Sequence, residues 1–337
     1  FKQKTAYEML RSLVGSEMCI RDSHTMVYRG RGTTCRRWQT GPARRVAQLK
    51  ESYFIPVAGQ NDGPGVPLSD DELRFLGWVL TDGYTNPSNQ TIVISQSTAS
   101  PYNQDIRAML EGCGFGYRVY RQRRKGQLSR YADGLQYVTP YGGPRGENAG
   151  RRGWAQLAPY ILQPVCRSLA DISQRQLGIL LEAMNLANGV KPRNPGRRKR
   201  TMSISLGDHR FLADQLQSLL VRRGYRCNMA TQRQKTPWTS GDPKPQYILH
   251  IRRQTCATIG GAATRTNALI PRRSRLAPVP YDPHEDVWCL TTPYGTLVTR
   301  RNGKVCILGN CGRGFRLHPV KTDCLVLDFG GNILRHG

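Results

Sequence analysis

The chain has 337 residues, which is enough for two domains, and 38% of them are hydrophobic, which excludes wholesale disorder. Fifty Lys and Arg residues against 23 Asp and Glu residues leave a formal net charge of +27, which favours a polyanionic partner such as nucleic acid. No apolar run reaches the roughly 20 residues that cross a bilayer, and no Cys-x-x-Cys pair indicates structural zinc. We expect a soluble, cytoplasmic monomer with no membrane contact.

The first 67 residues fall into two segments of different character. Residues 1–23 do not match the composition of the rest of the chain and resemble a translated sequencing adapter, so we assign them no function. Residues 24–67 contain short β-like pieces at 26–28, 44–49 and 53–57, separated by Gly and Pro. A capping residue and three acidic residues at 69–72 then predict a helix that ends near Asp82-Gly83.

The most informative feature is an internal repeat with an offset of 110 residues. The strand at 91–95 is echoed at 201–205, Gly114-Phe115 at 224–225, and the strand at 136–138 at 246–248. Each copy is predicted to contain a strand, a helix and two basic strands. A second apolar helix, 174–187, ends at Asn188-Gly189, as the first ends at Asp82-Gly83. The repeat predicts a pseudo-twofold body with both helix ends at its axis and its strands in a cationic saddle.

The two helix ends, 76–83 and 180–189, resemble the motif of the LAGLIDADG homing endonucleases. The resemblance covers residues 68–264, with repeats at 68–145 and 170–255, and implies an α+β pseudo-dimer of two αββαββα-type repeats that binds double-stranded DNA. In that family, carboxylates at the helix ends hold Mg²⁺ against the scissile phosphates. Asp82 and Asn188 would be the metal and catalytic residues here. An amide adds no charge, so we expect a nicking or DNA-binding relic. In either case, Gly83 and Gly189 would serve as helix C-caps.

Basic strands in both copies carry the predicted DNA contacts. Arginine and lysine on strands in a major groove read guanine or hold phosphates. A solvated basic face without a cognate site is the alternative. The predicted DNA-binding residues are Arg118, Arg121, Arg123, Arg124, Lys125, Arg226, Arg233 and Lys235.

The carboxy-terminal region returns to short strands. Asn302-Gly303 predicts a hairpin turn, and an apolar strand at 305–309 leads into Asn310-Cys311. An Asn side-chain amide can attack its own backbone carbonyl and break the chain, and the following thiol can accept an acyl group. Taken in isolation, Asn-Cys is an ordinary turn.

With their flanking residues, these segments resemble the carboxy-terminal blocks of inteins, the self-splicing elements of the Hint fold. The resemblance implies an all-β Hint horseshoe formed from residues 24–67 and 265–310, interrupted by the endonuclease. His24 would assist the upstream cleavage, Asn310 would cyclise, Cys311 would accept the upstream chain, and Cys289 stands where many inteins have Asp. The usual penultimate His is replaced by Gly309. The first splice nucleophile should precede His24, so we expect a truncated start that prevents complete splicing.

Residues 311–337 resemble motif VI of superfamily II DEAD/DEAH-type helicases and the strand after it. The resemblance implies a host (extein) fragment in which Arg313 and Arg316 contact ATP phosphates. No Gly-Lys-Thr phosphate-binding loop is present, so we expect no ATPase activity. The sequence as a whole predicts an intein with an embedded endonuclease, whose partners are double-stranded DNA and the helicase exteins. The alternatives are a free-standing homing endonuclease or DNA-binding protein, and a helicase carboxy-terminal lobe.

Overall fold

A computed structural model describes residues 25–31, 37–123, 133–139, 147–190, 201–233, 244–260, 296–301 and 303–309. The helices in these ranges are α1 (Ala43–Ala47), α2 (Asp70–Asp82), α3 (Asn103–Gly112), α4 (Glu147–Leu162), α5 (Val165–Ser168), α6 (Gln174–Asn188) and α7 (Arg210–Arg222). The strands are β1 (Thr25–Gly30), β2 (Gln39–Pro42), β3 (Tyr53–Pro56), β4 (Gly83–Asn86), β5 (Thr91–Ser97), β6 (Arg118–Gln122), β7 (Gly134–Thr139), β8 (Met202–Ser205), β9 (Tyr225–Arg233), β10 (Pro245–Arg253), β11 (Cys256–Ile259), β12 (Thr296–Arg301) and β13 (Lys304–Gly309).

The chain divides into two units, one formed by Phe1–Gly59 with Gln254–Gly337 and the other by Gln60–Arg253. The mixed α/β class is confirmed, and the strand pairs are antiparallel. The Hint horseshoe stays a prediction.

The first unit is built on a sheet that joins both ends of the chain. In the described residues its strand order is β11-β3-β1-β13-β12, and β2 also pairs with β1. Its core contains Met26, Val46, Tyr53, Ile55 and Val57, with Ala257 from β11. The turn between β12 and β13 contains Gly303 at a φ of +72°, a left-handed conformation that suits the predicted Asn-Gly hairpin.

One predicted element of this unit is wrong, and the sheet also includes residues that the sequence assigned to the endonuclease. Residues 44–49 were expected to form a strand, but α1 covers Ala43–Ala47, because Ala43 and Val46, at helical spacing, both pack against the core of this unit. The range 68–264 was expected to belong wholly to the endonuclease, yet β11 pairs with β3 in the register Cys256↔Pro56. Residues 254–260 therefore extend the sheet of the first unit.

The second unit contains the internal repeat. Its first half has the order α2-β4-β5-α3-β6-β7-α4, and its second half has α6-β8-α7-β9-β10 in the described residues. The first half forms a sheet of order β4-β5-β7-β6, and the second forms a sheet of order β8-β10-β9. Sequence echoes thus correspond to repeated elements.

Both long helices of the repeat start with a capping box. In α2, the Ser69 hydroxyl accepts from the Glu72 backbone N–H at 3.2 Å, and the Glu72 carboxylate accepts from the Ser69 N–H at 2.7 Å. In α6, Ser173 and Gln176 make the same reciprocal pair at 3.2 and 3.3 Å. These bonds satisfy N–H groups that a helix start leaves without partners, so they fix where each helix begins.

Candidate nucleic-acid interface

Helices α2 and α6 lie side by side and run in the same direction. Arg175 at the start of α6 forms an ion pair with Asp70 at the start of α2, with 2.9 Å between Nη2 and Oδ1. Further along, a Cβ built on Gly77 would lie 2.7 Å from the Cβ of Ala183. Gly77 lies five residues before Asp82, and Ala183 lies five residues before Asn188. The two helices therefore end on the same side of the unit.

The glycines after the helix ends allow the chain to turn directly from helix to strand. A Cβ on Gly83 would lie 2.5 Å from the Cα of Val79, and a Cβ on Gly189 would lie 2.1 Å from the carbonyl oxygen of Asn185. Their φ values of −95° and −66° are ordinary for any residue. Gly83 and Gly189 are the C-caps of α2 and α6, as expected, and the close approach of backbone, not left-handed geometry, requires glycine here.

Asp82 is a partly buried carboxylate beside an amide. Gln96 in β5 donates a hydrogen bond from Nε2 to Asp82 Oδ2 at 2.7 Å. Burial raises the pKa of Asp82 from 3.8 to about 6, because the charged form loses hydration, and the Gln96 hydrogen bond opposes this shift only in part. The folded chain therefore holds Asp82 where ionisation of its carboxyl group costs free energy.

The donor set around Asp82 fits Mg²⁺ bound together with substrate phosphates. Among the residues that the structure describes, no three His, Cys, Asp or Glu side chains form a metal-binding group. Mg²⁺ commonly takes only one or two protein carboxylates and completes its octahedron with phosphate oxygens and water. The single carboxylate of Asp82 at a helix end meets that requirement.

The corresponding position in the second half lacks this chemistry. Gly83 pairs with Ile94, and Gly189 forms a bridge to Ile204, so Gln96 corresponds to Leu206. Asn188 replaces Asp82, and Leu206 is buried. The second half therefore offers neither a carboxylate nor the amide that orients one.

Each sheet has a helix-facing side and an opposite side, which we call the outer face. In the first sheet, the Tyr137 hydroxyl donates to Asn103 Oδ1 on α3 at 3.1 Å, so residues in register with Tyr137 face the helices. In the second sheet, the buried residues Cys227 and Leu249 pair with Ile251 and Met229, so this set lies on the helix side. Because side chains alternate along strands, the intervening residues form the outer faces. They include Tyr84, Ser95, Arg118, Tyr120, Gln122, Gln136, Ser203, Arg226, Asn228, Gln232, His250 and Arg252.

The outer face of the second sheet concentrates positive and hydrogen-bonding groups. Arg226 and Arg252 lie directly opposite each other on neighbouring strands, a like-charge pairing, and Arg252 also donates from Nε to the Thr201 hydroxyl. The next row places His250 between Asn228 and Ser203, with 2.9 Å between His250 Nδ1 and Ser203 Oγ. A polyanion on this face would offset the arginine repulsion.

The predicted DNA-binding residues do not share one face. Arg118 and Arg226 lie on the outer faces. Arg121 lies on the other side of β6 and forms an ion pair with Asp133 at 3.0 Å. Arg233 lies on the side of β9 opposite to Arg226, because the two are an odd number of residues apart. Arg123 is exposed just beyond β6. Three more lie outside the described residues: Arg124, Lys125 and Lys235.

Sequence reasoning missed several residues of this surface. Gln96 was missed because only the folded chain brings it to Asp82. Asn228, Gln232, His250 and Arg252 were missed although they alternate with apolar residues along β9 and β10, which is the signal of a two-sided strand.

In the first unit, the contact between β1 and β13 brings together the neighbours of two predicted splicing residues. Met26 pairs with Leu308, and a Cβ on Gly309 would lie 2.6 Å from the Cβ of Thr25. Thr25 follows His24 in the chain, and Gly309 precedes Asn310. The predicted residues of the splicing and helicase segments lie outside the described residues: His24, Cys289, Asn310, Cys311, Arg313 and Arg316.

Comparisons with solved structures give several partial likenesses, which include the following two. Full-length DUF199/WhiA from Thermatoga maritima matches with a TM-score of 0.31 and 14% identity, over 56% of this chain and 53% of that chain. The homing endonuclease I-WcaI, bound to its DNA recognition sequence, matches with a TM-score of 0.33 and 15% identity, over 56% of this chain and 78% of that chain. No family model and no curated protein matches the chain. None of the described helices is long and apolar enough to span a bilayer.

Proposed function

We propose that the unit Gln60–Arg253 binds double-stranded DNA with the outer faces of its two sheets. The observation that carries the proposal is that two parallel helices, in contact at Gly77 and Ala183, each lead directly into a sheet with a polar, basic outer face. A strand ribbon of this kind fits a major groove, and the net charge of +27 favours a polyanion. Two related sheets would read two successive half-sites.

The same proposal assigns hydrolysis to one strand only. Ionised Asp82 would hold Mg²⁺ at one helix end, with Gln96 orienting its carboxylate. When bound, the ion supplies a Lewis acid for the phosphate and lowers the pKa of the attacking water. Asn188 and Leu206 offer no such site, so we expect single-strand nicking instead of double-strand cutting.

The test starts with selection of duplexes that bind the full chain from a random-sequence pool. A supercoiled plasmid carrying the selected sequence is then incubated with the chain and Mg²⁺. The proposal predicts open-circular product from the unmodified chain and none from Asp82→Asn. Equal nicking by Asp82→Asn would remove that residue from the chemistry, and failure to enrich any duplex would overturn the DNA-binding proposal.

We propose a second function for the first unit: cleavage of the chain after Asn310, as in the terminal step of an intein. The observation that favours it is the β1–β13 contact, which joins the bonded neighbours of His24 and Asn310. The Asn310 side-chain nitrogen would attack its own backbone carbonyl carbon, and the bond to the Cys311 nitrogen would break. A succinimide would remain at residue 310, and residues 311–337 would leave with a free amine.

In this scheme the other predicted splicing residues have roles in cleavage and acyl transfer. His24 would assist cleavage of an upstream splice bond, Cys289 would act as acid or base, and Cys311 would accept an upstream acyl chain. The released peptide would be the helicase-like segment that contains Arg313 and Arg316.

Mass spectrometry tests the second function. Incubated chain should release the peptide 311–337, and Asn310→Ala should release none. Cys311→Ala separates the steps, because it removes the acyl acceptor but leaves Asn310 able to cyclise. Release of the same peptide from Asn310→Ala would rule out cyclisation.

A further inference from the structure

Two exposed apolar side chains occupy corresponding positions beside the ends of α2 and α6. Tyr84 lies two residues after Asp82 and is 57% exposed, and Val190 lies two residues after Asn188 and is 43% exposed. Tyr84 pairs with Val93 on β5, and the Val190 N–H donates to the Ser203 carbonyl at 2.8 Å. Val93 and Ser203 are related by the repeat offset of 110, so the backbone positions are equivalent.

These side chains project from the outer side of the unit, not from its core. Gly83 and Thr85, on either side of Tyr84 in β4, pair with Ile94 and Ile92, which face the helices. The Tyr84 side chain therefore lies on the outer face. Leu186, two residues before Asn188, is exposed as well. Exposed apolar side chains at equivalent positions beside a polar, basic surface fit a ligand that is anionic outside and apolar in its interior.

Double-stranded DNA has that combination, and the geometry of the unit aligns one particular groove with the two equivalent positions. Two sheets that enter successive major grooves are one helical turn apart, and between them the minor groove faces the protein. The ends of α2 and α6 lie between the sheets, because each helix leads directly into its own sheet through Gly83 or Gly189. Tyr84 and Val190 would therefore meet the minor groove.

We propose that Tyr84 and Val190 form an apolar wedge that enters the minor groove at the centre of the bound duplex and unstacks one base step. The inference rests on the proposed DNA binding. The larger ring of Tyr84 stacks on a base, and Val190 fills the space beside it. Such wedges kink the duplex toward the major groove, and pyrimidine–purine steps unstack most easily. We infer that the preferred duplex has a TA or CA/TG step at its centre.

The test uses a duplex selected from a random pool by the full chain, with 2-aminopurine at its central step. The fluorescence of this base rises when it unstacks. The wild-type chain should raise it by about two-fold or more, and Tyr84→Ala should lose the rise. Tyr84→Ala should also weaken binding by about ten-fold without changing the slope of log Kd against log salt, because no phosphate contact is lost.

Matched controls separate the wedge from general effects of truncation. Phe211→Ala removes another aromatic ring, 72% exposed, from helix α7, and should keep the fluorescence rise. Tyr84→Phe keeps the ring and should keep the rise. Suppose that duplexes are enriched. If Tyr84→Ala then gives the same fluorescence rise as wild type, or if neither wild type nor any variant gives a rise, the wedge is wrong but the DNA-binding proposal stands. If no duplex is enriched, both proposals fail.

Discussion

Gly77 and Ala183 face each other where α2 and α6 pack, and each lies five residues before the polar residue that ends its helix. The contact joins corresponding positions of the two halves. It sets the distance between the helices and so the spacing between the two sheets at their ends. The relationship therefore links helix packing to the proposed DNA surface.

A methyl group at position 77 should destabilise the unit. Gly77→Ala would place its Cβ 2.7 Å from the Ala183 Cβ and 2.8 Å from the Leu180 carbonyl oxygen. We expect a loss of about 1–3 kcal/mol in the free energy of unfolding, measured by urea denaturation. Gly178→Ala in α6 meets nothing within 4 Å and should stabilise the helix by up to about 1 kcal/mol. Equal stability of the two variants would contradict the close packing.

Asp82 should reduce the stability of the folded chain at neutral pH. Its pKa is about 6 when folded and near 3.8 when unfolded, so the folded state holds a proton that the unfolded state has lost. Stability therefore falls as the pH rises from about 4 to 6 and stays lower above that range. Asp82→Asn should remove this loss, and the stability gain over wild type should be about 3 kcal/mol larger at pH 7 than well below pH 4. Thermal unfolding in EDTA measures it, and a gain that does not depend on pH would contradict the burial.

Restoring the missing donors should restore cutting of the second strand. Asn188→Asp supplies the carboxylate, and Leu206→Gln supplies the amide that corresponds to Gln96. On a supercoiled plasmid with the selected sequence, we expect the double variant to give linear product where wild type gives open circles. Adding Asp82→Asn to it should return open circles nicked in the other strand. If the double variant gives only open circles, nicked in the same strand as by wild type, the two-site scheme is contradicted.

Arg252 should contribute to DNA binding more than to the stability of the folded chain. Arg252→Ala relieves the pairing opposite Arg226 but also removes the hydrogen bond from Arg252 Nε to the Thr201 hydroxyl, so stability without DNA should change by no more than about 0.5 kcal/mol. The same substitution should weaken DNA binding and lower the salt slope by about 1. Arg222→Ala, on the exposed surface of α7, is the matched control and should leave DNA binding unchanged. Identical binding by both variants would remove the outer face of this sheet from the interface.

The sequence predicted the repeated elements well, but it did not predict their register. Gly114 and Gly224 both come after a helix with positive φ, and Ile94 and Ile204 are equivalent, as the offset of 110 required. Tyr137 pairs with Ile94, whereas Leu249, not Tyr247, pairs with Ile204. A slip of two residues keeps every side chain on its face, so the apolar alternation cannot reveal it.

Only those site residues that a local sequence pattern marks could be predicted from the sequence. Asp82 and Asn188 were found because each ends a helix before a glycine. The Gln96 partner and the raised pKa of Asp82 arise from contacts between distant parts of the chain. Among the basic residues, Arg118 and Arg121 differ in face because they are an odd number of positions apart along one strand.

The salt dependence of duplex binding tests the central claim most directly. With the full chain and a selected duplex, Kd is measured by fluorescence anisotropy across a series of salt concentrations. If the two outer faces hold several phosphates, log K should fall with log salt with a slope of about −4 or steeper. Binding that does not change with salt, or no binding at the lowest salt, would contradict the claim that this unit is a DNA-binding surface.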